Sequence, residues 1–137
     1  MADPSFLEQR LDASTWPIAV GDLVVLLAFL LVGTLEHWTF EQLQADPTIY
    51  LLVAGPFILG WLICAPLIGA YSPGGGSAPN SSIPLAIRSW IPAALIGLLI
   101  RVVAMPDRGA DIIFAVIMLV GGALILSIWR FLYFKIR

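Results

Sequence analysis

The stretch PIAVGDLVVLLAFLLVGTLEH, Pro17 to His37, decides the fold. It is apolar for long enough to match the roughly 20 residues that cross about 30 Å of hydrocarbon. Yet it carries Asp22 near one end and Glu36 and His37 at the other. At about 100° per residue, Asp22, Phe29, Gly33, Glu36 and His37 fall within one face of a helix. An ionisable group inside a bilayer costs roughly 2.5–3.5 kcal/mol on insertion scales, so it turns toward partner helices or a cavity. The rest of the chain is read as what packs on that face.

Working outward, three more apolar runs follow. The 137 residues are 60% hydrophobic and only 12% charged, against about 25% charged in soluble domains. The expected spans are 17–36, 48–71, 84–105 and 111–134. The fold class is therefore all-α, an integral membrane four-helix bundle over residues 17–137. Residues 1–16 form an N-terminal tail, in which Phe6, Leu7 and Leu11 have the spacing of an interfacial helix. The chain does not open with the basic segment of a cleavable signal peptide. Ser14 or Thr15 is placed to cap the first span, with Pro17 in its first turn.

Pro56 and Pro66 fall inside span two, where each removes a backbone N–H. The stretch from Tyr71 to Ser82, rich in glycine, serine and proline, reads as a flexible linker. Pro106 to Gly109 reads as a tight turn, making spans three and four antiparallel neighbours. Tryptophan and tyrosine concentrate at headgroup level. On that rule Trp16, Trp38, Tyr50, Tyr71, Trp90, Trp129 and Tyr133 mark span ends, and Trp61 alone packs mid-span.

Four spans place Arg10, Arg88, Arg130, Lys135 and Arg137 on one side, and Arg101 and Arg108 on the other. The positive-inside rule then puts both termini in the cytoplasm of a multi-pass plasma-membrane protein. The charges at depth fall into two tiers: Asp22, Arg88 and Arg130 near the cytoplasmic face, and Glu36, His37, Arg101, Asp107 and Asp111 near the outer face. Mixed signs at each depth predict ion pairs. Arg130 is the better partner for Asp22, because Ala123, Ser127 and Arg130 share a face while Arg88 points away from the face of Trp90, Ala94, Gly97 and Arg101. Arg101 pairs with Glu36 or another outer acid. Gly33, Gly97, Ala65 with Gly69, and Gly121-Gly122 are candidate close helix contacts. Cys64, the single cysteine, is a small apolar filler.

Catalytic templates do not fit. No His/Cys cluster suits a metal, and no G-x-S-x-G nucleophile motif occurs. Asp22 and Glu36 lie about 20 Å apart along the helix axis. The reading is therefore not an enzyme, with no metal and no cofactor. A net charge of −2 offers no footprint for nucleic acid.

The ordered motifs resemble a family of small prokaryotic membrane proteins, domain of unknown function 3054. They are Asp22 with Phe29-x-x-x-Gly33-x-x-x-His37, then Pro56-Phe57-Ile58-Leu59-Gly60-Trp61, then Gly97-Leu98-Leu99-Ile100-Arg101, then Phe114 with Trp129-Arg130. The resemblance implies four spans and brings no activity with it. Thr34 departs from it, a basic residue being expected there. The function expected is a small transporter or channel, acting as a homo-oligomer among membrane lipids. Asp22 is its ion or proton site, with Glu36, His37, Arg101 and Arg130 as further candidates. The alternative is an accessory or assembly subunit of a larger membrane complex, pigment- or redox-associated, with Trp61, Phe57, Phe114 and Trp129 facing the partner.

Overall fold

The computed structural model describes residues 11–36, 38–104 and 112–136. The calls on the tail up to Arg10, on His37, and on the turn at 106–109 with Asp107, Arg108 and Asp111 lie outside these residues. Among the described residues all regular structure is helical. A 3-10 turn, Ala13–Thr15, leads into α1 (Trp16–Leu35). There follow α2 (Phe40–Ala45), α3 (Thr48–Ile68), α4 (Pro73–Ser77), α5 (Pro79–Ala104) and α6 (Ile112–Ile136). Four of these, α1, α3, α5 and α6, are long and apolar enough to cross a membrane. Neighbours round the bundle run α1, α3, α5, α6 and back to α1.

These helices are apolar all round, so the buried stripe has to be read from packing. On α1 it is Ile18, Asp22, Leu26, Leu30 and Thr34, one residue per turn. The face expected from sequence is corrected here: Asp22 belongs to it, Phe29 is half-buried beside it, and Glu36 is exposed. Thr34 satisfies its hydroxyl locally, donating to the Leu30 carbonyl at 2.7 Å.

The tightest pairing joins α3 and α5. Gly60 meets the Ala93 backbone with no room for a Cβ, and Gly97 lies under the Phe57 ring in the same way. Small residues bring the two backbones together, which is how membrane helices gain packing without a hydrophobic drive. Helix α3 runs unbroken through Pro56 and Pro66. It stops at Gly69, whose φ of 106° is a left-handed end that glycine adopts without a Cβ penalty.

The expected linker is folded instead. Pro73–Ser77 is α4, and α5 begins at Pro79, earlier than the expected start at 84. Composition misled because local side-chain bonds hold this segment. Ser72 Oγ donates to the Gly69 carbonyl at 2.6 Å. Gly75 is buried where a Cβ would strike the Ala70 carbonyl. The N-terminal side closes over the same corner, with Asp12 N–H donating to the Tyr71 carbonyl at 2.7 Å. The cap is also reassigned: Thr15 makes no capping bond to α1, and Asp12 accepts from Ser14 N–H at the 3-10 turn.

One aromatic assignment changes as well. Trp61 is fully buried as expected, but so is Trp90. Trp90 Nε1 donates to the carbonyls of Met118 and Leu119 at 3.0 and 3.2 Å. Its indole occupies the space that Gly122 leaves. Trp129 covers Gly21 and points Nε1 at the Ile18 carbonyl, 3.4 Å away. Phe29 likewise lies over Gly121. For Trp90, a span-end position in the sequence did not leave the ring exposed; a glycine on the neighbouring helix gave it a slot inside the bundle.

Candidate functional site

At one end of the bundle the start of α1, the end of α3, the start of α5 and the end of α6 converge. Asp22 and Arg130 meet there, both fully buried. Arg130 Nη2 donates to Asp22 Oδ2 at 2.6 Å and Nε to Oδ1 at 3.2 Å. This two-point contact of guanidinium on carboxylate is the strongest neutralising geometry available to the pair. Arg130 Nη1 donates to the Ala70 carbonyl at 3.2 Å, and to the Ser82 carbonyl and Oγ at 3.1 Å. Tyr71 O–H donates to Asp22 Oδ2 at 2.9 Å and accepts from Trp61 Nε1 at 2.8 Å. Among the described residues no buried side-chain nitrogen or oxygen is left without a partner.

The chain builds this cluster from four separate places. Gly69 turns the backbone after α3, so that Tyr71 swings back over Trp61, ring to ring edge-on at 6.2 Å. Ser82 is available only because α5 starts before it. Sequence reasoning found the Asp22–Arg130 pair and set Arg88 aside; Arg88 is exposed. It missed Tyr71 and Ser82, since one was read as an interface marker and the other as linker.

At the opposite end lies a cavity of about 760 Å³, within the usual range for a small-molecule site. Its wall includes Leu30, Gly33, Glu36, Phe114 and Met118. Val53 of α3, Arg101 of α5 and Trp38 also reach it. The Arg101 guanidinium carbon stands 4.5 Å from the centre of the Phe114 ring, a cation–π seat. Glu36 and Arg101, placed in one tier from sequence, thus line one space. Gly33 is corrected: it is no tight contact. A Cβ there would have only Met118 Cε near, at 3.9 Å, so the missing side chain contributes to the cavity. Phe57 and Phe114, 6.3 Å apart between centroids, form the floor of aromatic packing between the two ends, with Trp90 and Trp61 beyond.

A family model reaches across all four of the long helices. The model described as a protein of unknown function (DUF3054) matches residues 19–133. The chain belongs to the DUF3054 family. That match takes in the whole of both tiers, from Asp22 to Arg130, so the ion pair and the cavity both lie within the DUF3054 region. No curated protein and no solved structure matches the chain.

Proposed function

We propose that this DUF3054 chain is a small transporter whose two ends open in turn, with Asp22 as the coupling site for a proton or cation. The observation that carries the reading is the contrast between the ends. One is shut by a buried, fully bonded ion pair; the other holds a cavity of about 760 Å³. A cation at Asp22 has to displace Arg130, because both carboxylate oxygens are already engaged. Protonation of Asp22 removes the charge that holds Arg130, and the shut end loses its bolt. The lysine and arginine bias supports a cytoplasmic side for the shut end and both termini, with the cavity toward the outside of the plasma membrane.

Cysteine accessibility tests this without a known substrate. In a Cys64→Ala background, Gly33→Cys reports on the cavity and Ala86→Cys on the shut end, Ala86 being fully buried. In detergent-solubilised protein, where the reagent meets both ends, a hydrophilic maleimide is expected to label the Gly33→Cys protein and spare the Ala86→Cys protein. Adding Asp22→Asn should reverse the two. If Asp22→Asn changes neither rate, or raises both together with loss of a cooperative melt, Asp22 is only a structural anchor and the transport reading fails.

A further inference from the structure

The packing of this bundle changes character at Gly33. At other glycines that face a neighbouring helix, something fills the side-chain position: Trp129 at Gly21, the Ala93 carbonyl at Gly60, Phe57 at Gly97 and Trp90 at Gly122. At Gly33 a Cβ would find only Met118 Cε, 3.9 Å away. The space left there is part of the cavity of about 760 Å³. Protein interiors are close-packed, and a wall with no atoms opposite it forfeits its dispersion contacts. A void of this size is a place for a guest.

Water is a poor guest for its inner part. An ordered water needs roughly two to four polar partners. The side chains of Leu30, Val53, Phe114, Ile117 and Met118 offer none. The Thr34 hydroxyl lines the space, but it donates its proton to the Leu30 carbonyl at 2.7 Å. Charge belongs to the rim. Glu36 caps the end of α1, and Leu30 lies six residues before it, about 9 Å deeper along the axis. Arg101 lies against the Phe114 ring, 4.5 Å from its centre. A hydrocarbon guest needs nothing from either charge.

The cavity also opens sideways. Ile117 lines it and is 53% exposed. Ile113 and Val120, one turn before and one turn after, continue that exposed row along α6. Helix α6 is long and apolar enough to cross a membrane, so in a bilayer this row meets acyl chains. Across from it α1 carries Gly33, which leaves a slot between the two helices rather than a closed seam.

We infer that the cavity takes one acyl chain of a bilayer lipid, which enters sideways past Ile117 and lies against Gly33, Phe114 and Met118. Shape and dispersion hold the chain, with no ion pair or hydrogen bond. It therefore exchanges with the bilayer, and a small reagent still reaches residue 33 between visits. The site does not depend on the transport reading.

The test is photolabelling in nanodiscs of phosphatidylcholine that carries a diazirine midway along one acyl chain, with the labelled residues located by mass spectrometry. The parent protein is expected to carry adducts on Phe114 and on the buried Met118, as well as on outward residues such as Val120. Gly33→Leu should lower the Phe114 and Met118 adducts about tenfold by filling the slot, with Val120 labelled as before. Gly55→Leu adds the same side chain where nothing lies within 4 Å and should change neither set. Gly33→Ala adds a single carbon and should give an intermediate loss, which keeps the test decisive if the leucine variant fails to fold. Adducts confined to outward residues, or cavity adducts unchanged in both Gly33 variants, would overturn the site. A short diazirine-bearing alcohol, added from water, that labels Phe114 and Met118 where the phosphatidylcholine does not would overturn the lipid source and assign the cavity to small apolar solutes. The response of Ala86→Cys to Asp22→Asn reads the opposite end of the bundle, so failure here is distinguishable from failure of the transport reading.

Discussion

Arg130 Nη2 stands 2.6 Å from Asp22 Oδ2, joining residues 108 apart in sequence. Breaking such a pair from one side leaves an uncompensated buried charge. Arg130→Leu should therefore lower stability by about 3–5 kcal/mol, read as a fall in melting temperature in mild detergent. Replacing both partners, Asp22→Leu with Arg130→Leu, should recover most of that loss, because apolar pairs of similar size often substitute for buried ions. A double variant as unstable as Arg130→Leu alone would show that Arg130 acts mainly through Ala70 and Ser82.

Tyr71 joins the pair to the aromatic core. Its hydroxyl is at once donor to Asp22 and acceptor for Trp61 Nε1. Tyr71→Phe leaves the buried indole N–H without an acceptor, at a cost of about 1–3 kcal/mol. Adding Trp61→Phe should restore part of it, since the orphaned donor is then gone. Thermal melts of the four proteins in a double-mutant cycle measure the coupling; a coupling near zero would mean the Trp61 contact carries no energy.

A methyl group at Gly122 would strike the Trp90 indole, which fills the Cβ position. Gly122→Ala should cost about 1–3 kcal/mol through overpacking, and should blue- or red-shift and broaden the Trp90 emission. Gly33→Ala, next to open space, should leave the melt unchanged. Equal effects at the two glycines would contradict the packing described here.

Asp12 gives a pH dependence outside the spans. The Ser14 backbone N–H, and then its side chain, hold the Asp12 carboxyl below the usual aspartate range. A carboxyl depressed on folding stabilises above its unfolded value, and the gain is lost as pH falls through the folded one. Asp12→Ala should therefore melt lower than the parent near neutral pH, with the difference beginning to shrink only below about pH 4 and vanishing once the folded carboxyl is itself protonated. A gap that does not shrink at all as pH is lowered below the aspartate range would mean the cap works through something other than the charge.

Much of this was legible in the sequence. Length and polarity gave the four helices, because a bilayer demands about 20 apolar residues and little else looks similar. Helical periodicity picked Arg130 over Arg88, because Arg130 shares a face with Ala123 and Ser127 while Arg88 points away from the packed face of its own helix. What escaped had a common cause. Trp90 was misplaced because the glycine that receives it, Gly122, sits on another helix. Tyr71 and Ser82 were missed because the folding of residues 71–82 depends on Gly75 meeting Ala70 and on Asp12 reaching Tyr71. Gly33 was read as a contact because a glycine against a helix and a glycine beside a void look alike in one dimension.

The bond between the first spanning helix and the last also has a consequence for biogenesis. Asp22 leaves the ribosome 108 residues ahead of the arginine that neutralises it, on the order of 5–20 s at ordinary elongation rates. Until then a lone acid must be tolerated in or beside the bilayer, so nascent chains that stall before Arg130 emerges present a recognisable defect. Quality control could thus distinguish finished from unfinished molecules by that single unsatisfied carboxylate.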